Sequence, residues 1–180
     1  IENILGSAFN DSLLGDAADN RFDGGAGADV LQGGTGIDTA DYRLATGAVT
    51  VSLASGLGSR GEADGDQLAD IENVLGSAFA DILIGDGGAN LLDGRGGADR
   101  LEGGAGDDEY VVDDAADLID ELASGGVDRV SASVSYALSA QVENLTLTGS
   151  ADINGTGNDL DNVLTGNAGS NALSGGLGDD

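Results

Sequence analysis

Apolar residues recur with a period of nine along much of the chain, each embedded in polar, glycine-rich sequence. The nonapeptides fill 6–41, 76–111 and 157–180. The eighth residue of each complete nonapeptide is apolar: Leu13, Phe22, Leu31, Ala40, Leu83, Leu92, Leu101, Tyr110, Leu164 and Leu173. Because side chains alternate between the two faces of a strand, this pattern predicts a three-residue strand whose central side chain faces inward. The six residues before each strand, rich in Gly and Asp, predict a turn.

Two nonapeptides predict one flattened coil of 18 residues, and successive coils stack their strands in parallel. A longer repeat is also present, since residues 1–16 and 71–86 are identical at 12 of 16 positions. We therefore expect one elongated array with three roll blocks and two connecting segments of strand and coil: 1–41, 42–75, 76–111, 112–148 and 149–180, the last block being truncated.

The sixth residue of every nonapeptide is Asp or Asn, and the first is Gly. Neighbouring strands lie about 4.8 Å apart, so sixth-position carboxylates on one edge stack at roughly that spacing. At an effective dielectric constant near 20, two such charges repel by about 3.5 kcal/mol. A divalent cation between the turns would reverse this repulsion. Calcium fits better than magnesium, which requires a tighter octahedron and keeps its waters.

Five same-edge pairs of turns are candidate calcium sites, for about five ions: 6–11 with 24–29, 15–20 with 33–38, 76–81 with 94–99, 85–90 with 103–108, and 157–162 with 175–180. The candidate side-chain ligands are Asp11, Asp29, Asp38, Asp81, Asn90, Asp99, Asp108, Asn162 and Asp180. The candidate backbone ligands are Gly24, Gly25, Gly27, Gly33, Gly34, Gly36, Gly94, Gly97, Gly103, Gly104, Gly106, Gly175, Gly176 and Gly178.

Departures from the repeat predict uneven binding. Phe9 and Phe79 stand at the fourth position, where a bulky residue disfavours positive φ. We expect the opening turn of the first two blocks to be a cap with a poor or absent ion. Asn at the sixth position is a neutral and weaker ligand, so the third block should bind less tightly than the second.

Composition narrows the function classes. The net charge is −27, with 33 acidic residues of which most are Asp, and this argues against nucleic acid or an anionic membrane as a partner. The chain has no His and no Cys, which excludes the usual zinc sites and disulfides. No apolar run approaches the roughly 20 residues that span a membrane, so no membrane insertion is expected.

The strict or near-strict copies of the motif GGxGxDxUx lie at 24–32, 33–41, 103–111 and 175–180. In these residues the chain resembles the RTX, or haemolysin-type, calcium-binding nonapeptide repeat family. The resemblance implies an all-β fold, a right-handed parallel β-roll or β-solenoid of stacked 18-residue coils with calcium between the turns. It also implies a module that stays unfolded in the low-calcium cytosol, passes through a type I secretion channel and folds outside the cell.

The connecting segments predict strands at 49–54, 128–138 and 142–149. Residues 113–124 fit a short helix and an extended coil equally well. The acidic residues Asp64, Asp66, Asp113 and Asp114 are interpreted as solvated loop acids rather than further ligands. The glutamates of the IEN and VEN segments (2, 72 and 143) are interpreted as marking a strand edge that positions the first coil, not as acid/base catalysts.

The function predicted is a calcium-binding, non-enzymatic structural module of a larger secreted or cell-surface bacterial protein, of which this chain is a piece. A surface layer, filament or adhesin is favoured slightly by the long repeat. The alternatives are a folding and secretion module of a secreted enzyme, such as a protease, lipase or mannuronan epimerase, and a polysaccharide-binding module. Besides calcium, the partners considered are copies of the chain end to end, other surface proteins and polysaccharide.

Overall fold

The structure, a computed structural model, describes residues 2–123 and 125–180. Ile1, in the first IEN segment, and Ser124, the last residue of the 113–124 segment, lie outside the described residues. The strands in chain order are β1 (Glu2–Ser7), β2 (Ser12–Leu14), β3 (Asn20–Gly25), β4 (Val30–Gln32), β5 (Thr39–Asp41), β6 (Thr50–Ser52), β7 (Leu57–Ser59), β8 (Gln67–Ala69), β9 (Asn73–Leu75), β10 (Ile82–Ile84), β11 (Leu91–Asp93), β12 (Arg100–Glu102), β13 (Glu109–Val112), β14 (Leu118–Asp120), β15 (Arg129–Ala132), β16 (Tyr136–Ala137), β17 (Asn144–Leu147), β18 (Gly155–Thr156), β19 (Val163–Thr165) and β20 (Leu173–Ser174). One 3₁₀ helix, Gly61–Ala63, lies between β7 and β8.

Most strands alternate between two facing sheets. The first sheet has the order β1-β3-β5-β9-β11-β13-β15-β17-β19, the second β14-β12-β10-β6-β7-β8-β4-β2, and a third β16-β18-β20. Within the repeat blocks, paired residues are 18 apart, as Ser12 is paired with Val30 and Ile82 with Arg100. The predicted parallel β-roll of 18-residue coils is confirmed.

The core is a stack of the eighth-position side chains between the sheets. Phe22, Ala40, Leu83, Leu92, Leu101 and Tyr110 are completely buried, and Leu13 and Leu31 nearly so. In the third block Leu164 is partly buried and Leu173 is 44% exposed. The inward orientation predicted from the period therefore holds throughout the first two blocks and weakens in the third.

The first connecting segment departs from the parallel pattern. Strand β7 pairs antiparallel with both β6 and β8, so these three strands form a meander inserted into the second sheet. Gly56, with a φ of 66°, allows the reversal between β6 and β7. The meander places β8 beside β4 and β6 beside β10, which keeps the sheet continuous across the insertion.

The second connecting segment continues the roll. Residues 118–120 form β14, which pairs with β12 and buries Ile119, so the extended alternative for 113–124 is correct among its described residues and the helical one is wrong. Strands β15 and β17 extend the first sheet, as the strand predictions for 128–138 and 142–149 required. In the described parts of the chain, no helix has the length and apolar character needed to cross a bilayer.

Candidate metal sites

Each edge of the roll carries a row of carboxylate and amide side chains; most of them lie one residue before a strand begins, Asn20 is the first residue of β3, and Asp180 follows the last strand. Along the second sheet, row one consists of Asp11, Asp29, Asp66, Asp81, Asp99 and Asp117. The N–H of Asp11 donates to Oδ1 of Asp29 at 2.9 Å, and the N–H of Asp29 donates to Oδ1 of Asp66 at 2.8 Å. Past the meander the N–H of Asp81 donates to Oδ1 of Asp99 at 2.8 Å, and the N–H of Asp99 donates to Oδ1 of Asp117 at 3.0 Å.

Row two follows the first sheet in the same way. Its members are Asn20, Asp38, Glu72, Asn90, Asp108, Asp128, Glu143, Asn162 and Asp180. Six backbone N–H groups of this row donate to the side-chain oxygen of a row member in the following coil, over 2.7–2.9 Å. All five predicted same-edge pairs of turns are therefore neighbours, each pair bridged by one such bond.

Sequence reasoning missed five members of these rows: Asp66, Asp117, Asp128, Glu72 and Glu143. Asp66 is completely buried, and Tyr42 donates a hydrogen bond of 2.9 Å to its Oδ2, so its interpretation as a solvated loop acid is wrong. The missed residues share a signal, an acid two residues before an inward-facing apolar residue. That short pattern persists in the connecting segments, outside the nine-residue repeat.

The turns fall into two classes that differ in the backbone. Five turns, here called open turns, have positive φ at their second and fourth residues; they span 24–29, 33–38, 94–99, 103–108 and 175–180. The other six, here called closed turns, have positive φ at neither position; they span 6–11, 15–20, 76–81, 85–90, 157–162 and 166–171. All of the candidate backbone ligands lie in open turns, and Arg95 takes the place of a second-position Gly with a φ of 63°.

In closed turns the sixth side chain is engaged by its own turn. The N–H of the second residue donates to the sixth side-chain oxygen, as from Ser7 to Asp11 at 2.6 Å and from Asp86 to Asn90 at 2.8 Å. The same bond forms in the remaining closed turns. It occupies an oxygen that an ion would otherwise use.

In open turns one carboxylate oxygen is left without a protein partner. The Oδ2 atoms of Asp29, Asp38, Asp99 and Asp108 are buried and accept no hydrogen bond, and so is Oδ2 of Asp128 in the second connecting segment. A buried, unpaired carboxylate oxygen is costly, because burial removes water and nothing replaces it. These atoms are the strongest indication that an ion belongs between the turns.

The first glycine of most closed turns lies beside the sixth side-chain oxygen of its own turn and a carbonyl oxygen of the next coil. A Cβ built on Gly76 would lie 2.5 Å from Oδ2 of Asp81 and 2.9 Å from the carbonyl oxygen of Gly94. In the closed turns 6–11 and 85–90 it would likewise meet the sixth side-chain oxygen and a glycine carbonyl of the next coil. Side-chain and carbonyl oxygens therefore lie close together between the turns, and oxygen atoms are the ligands that calcium prefers.

The electrostatics of the two rows favour the binding of a cation. Burial, together with the charges of Asp117 and Asp81, raises the pKa of Asp99 to about 7. Burial, together with nearby charges of which Asp128 is the strongest, raises the pKa of Asp108 to about 6. For both carboxyl groups the folded environment thus disfavours the ionised form when no cation is bound.

Comparison with known families agrees with this geometry. A model of the RTX calcium-binding nonapeptide repeat (4 copies) matches residues 5–40, 75–110 and 156–180, more than half of the chain. The chain belongs to the RTX calcium-binding nonapeptide repeat family. Its β-roll is thus a calcium-binding structural fold. Among curated proteins, none matches the chain.

The family match ends where the open turns end in each block, yet the rows continue beyond it. Asp66, Asp117 and Asp128 all lie outside the matched ranges. The RTX repeat thus supplies the open turns, while the connecting segments supply further acids to the same two edges.

Proposed function

We propose that this RTX β-roll folds when it binds calcium outside the cell, and that it forms a stabilising segment of a larger secreted or cell-surface protein. The observation that carries the proposal is the set of buried, unpaired Oδ2 atoms at Asp29, Asp38, Asp99, Asp108 and Asp128. In the folded chain these oxygens have lost water and gained no protein donor, so folding without a cation is penalised at each of them.

The ligands are proposed to come from both turns of a same-edge pair. The open turn contributes the unpaired carboxylate oxygen, and its Gly carbonyls add neutral oxygens. The closed turn contributes less, because its sixth side chain already accepts an N–H from its own turn. The ions would therefore be centred on Asp29, Asp38, Asp99, Asp108 and Asp180, with Asp11, Asp81, Asn90 and Asn162 as the weaker partners.

The free energy of calcium binding is large enough to control folding. Extracellular calcium sites often have Kd values near 10⁻⁴–10⁻³ M. At ten times its Kd one site contributes about 1.4 kcal/mol by mass action. About five such sites would contribute roughly 7 kcal/mol, within the 5–15 kcal/mol that is typical of a whole domain. Calcium concentration then decides whether the array is folded.

The proposed dependence of folding on calcium concentration supports an extracellular setting, since only a calcium-rich compartment would keep the sites filled. The 70-residue recurrence favours a surface layer, filament or adhesin over the folding module of a secreted enzyme. A catalytic role is not part of the proposal, because the acids repeat one arrangement coil after coil.

Circular dichroism during a calcium titration tests the proposal. We expect an unfolded spectrum in excess chelator, a cooperative gain of β-structure with calcium, and no comparable gain at the same concentration of magnesium. A complete β spectrum in excess chelator would show that the unpaired oxygens do not require an ion. A variant with Asn at residues 29, 38, 99, 108 and 128 should stay unfolded at calcium concentrations that fold the wild type.

A further inference from the structure

Where the second repeat block ends, an acid from outside the repeats joins row two. Glu121 belongs to the second connecting segment, directly after β14, and its carboxylate reaches back to the open turn 103–108. Carboxylate oxygens of Asp108, Glu121 and Asp128 all lie within 4.8 Å of one another. Asp108 and Asp128 are the successive row-two residues at this junction.

Each of the three carboxylates has one oxygen without a hydrogen-bond partner. The N–H of Asp108 donates to Oδ1 of Asp128 at 2.9 Å, and the N–H of Leu122 donates to Oε2 of Glu121 at 3.0 Å. Oδ2 of Asp108, Oδ2 of Asp128 and Oε1 of Glu121 are each buried without a hydrogen-bond partner. Three negative groups thus share one desolvated space, and among the described residues none of the ion pairs involves them.

Tyr110 provides an independent indication of a ligand. Its side chain is completely buried, and its hydroxyl has no hydrogen-bond partner. A Cβ built on Gly103 would lie within 2.5 Å of the Tyr110 hydroxyl, of Oδ2 of Asp108 and of Oε1 of Glu121, so the hydroxyl converges on the same place as the carboxylates. The corresponding position in the other complete repeats holds Leu, Phe or Ala, which place no oxygen there.

We propose that Asp108, Glu121 and Asp128 bind a calcium ion at this junction, with the Tyr110 hydroxyl as a further oxygen. The site differs from those of the repeats because a glutamate side chain from the connecting segment enters it. Calcium takes six to eight oxygen ligands, so carbonyl oxygens and waters complete the shell. The ion would tie the end of β14 to the open turn 103–108 and so fasten the second connecting segment to the roll. The proposal rests on the proposed function for the choice of calcium as the ion, and it shares Asp108 and Asp128 with it; Glu121 and the Tyr110 hydroxyl belong to the junction site alone.

The charge distribution favours a divalent cation over an added proton. Burial, together with the charges of Asp128, Asp108 and Glu143, raises the pKa of Glu121 to about 7. One proton would leave the other two carboxylates facing each other in a buried space. A divalent ion opposes the charge of all three and satisfies the hydroxyl oxygen as well.

Ion counting on the complete chain tests the site. Native mass spectrometry after equilibration with about 1 mM calcium, near the range of extracellular sites, gives the number of bound ions. Glu121→Gln should lose one ion, or weaken one site by about 10-fold or more. The matched control is Asp120→Asn, the adjacent residue, whose side chain is 65% exposed and pairs with Arg100. It should bind as many ions as the wild type.

Terbium luminescence gives a second readout, and it adds the variant Tyr110→Phe, which leaves the three carboxylates unchanged. A tyrosine beside bound Tb³⁺ sensitises its emission, and Tyr110→Phe retains the buried ring while removing the hydroxyl. We expect Tyr110→Phe and Glu121→Gln to remove the same part of the tyrosine-sensitised emission. The part that remains is assigned to the other two tyrosines: Tyr42, whose hydroxyl contacts Asp66 in row one, and Tyr136, whose pKa is raised by burial and then by the charge of the row-one residue Asp117.

The two proposals fail in different ways. Equal ion counts and equal terbium emission in the wild type, Glu121→Gln and Tyr110→Phe would overturn the junction site while leaving the repeat sites intact. Binding of no ions by the wild type, with a β spectrum in chelator, would overturn the calcium-coupled folding as a whole.

Discussion

The backbone N–H of Asp81 donates a 2.8 Å hydrogen bond to Oδ1 of Asp99, while Oδ2 of Asp99 is buried and accepts nothing. One carboxylate therefore connects two coils through one oxygen and offers the other to a cation. The arrangement recurs at Asp29, Asp38 and Asp108. Coil stacking and the proposed ion binding thus share the same side chain, so a substitution there should affect both.

Asp99→Asn should raise the calcium concentration needed for half-maximal folding by about 10-fold or less, because one charged ligand of one site becomes a neutral amide. Asp11→Asn is the control from a closed turn, where Ser7 already donates to the carboxylate at 2.6 Å. It should shift the midpoint much less. Calcium titrations followed by circular dichroism measure both midpoints, and equal shifts would contradict the distinction between open and closed turns.

Gly104→Ala should destabilise the calcium-loaded roll by about 1–2 kcal/mol or more, because Gly104 has a φ of 102° in an open turn. The added methyl would also lie 2.5 Å from the carbonyl oxygen of Asp86. Gly87→Ala is the control, since a Cβ there meets nothing within 4 Å and its φ is not in the left-handed region. Urea unfolding in saturating calcium measures both, and an unchanged midpoint for Gly104→Ala would show that the turn tolerates the side chain.

The metal-free chain should be more ordered at pH 5 than at pH 8. The folded-state pKa values of Asp99 and Asp108, about 7 and about 6, lie above the value of 3.8 for an unperturbed Asp. The folded state therefore holds more protons than the unfolded state between about pH 4 and 7. The associated stability is fully present below about pH 4 and is lost as the pH rises through 6–7. Circular dichroism in chelator across this range measures the change.

With calcium present this dependence on pH should weaken. The calcium-loaded folded state and the unfolded state both keep Asp99 and Asp108 ionised between pH 5 and 8, because a bound ion requires the carboxylate form and the unperturbed pKa of Asp is 3.8. The calcium concentration at the folding midpoint should therefore not increase as the pH falls from 8 to 5. A midpoint that increases several-fold over this range would contradict the linkage of folding to these two carboxylates.

Leu92→Ala should cost about 2–5 kcal/mol, because Leu92 is completely buried in the stack between the two sheets. Leu14→Ala removes the same atoms from a side chain that is 66% exposed and should change the stability by less than about 0.5 kcal/mol. Urea unfolding at fixed calcium concentration compares them. Similar losses for both variants would contradict the inward orientation of the eighth position.

The nine-residue period was sufficient to predict the roll, the 18-residue coil and the buried eighth position. These follow from local sequence, because each three-residue strand carries its own apolar centre and each turn its own glycines. The meander around β7 was not predictable in this way. Its antiparallel pairing joins β7 to β6 on one side and to β8 on the other, and no repeat marks the register of these three strands.

The members of the acidic rows could be predicted only inside the nine-residue repeats, whose turns carry Gly at fixed positions. Asp29 and Asp108 were found because they lie in glycine-rich turns. Asp66 and Asp128 were missed because their turns have other backbones, although they too stand two residues before a buried side chain. Glu121 carries no sequence signal of this kind, since it reaches row two only through the path of the chain after β14.

The amide-to-carboxylate bonds of both rows all run the same way, from a coil to the one that follows it toward the C-terminus. A stack of coils therefore has two chemically different faces, one presenting acceptor oxygens and the other presenting N–H donors. If two arrays met through the same kind of face, N–H donors would lie against donors, or carboxylates against carboxylates. Two arrays brought together in line should consequently join head to tail, and a fibre grown by such contacts would be polar along its length.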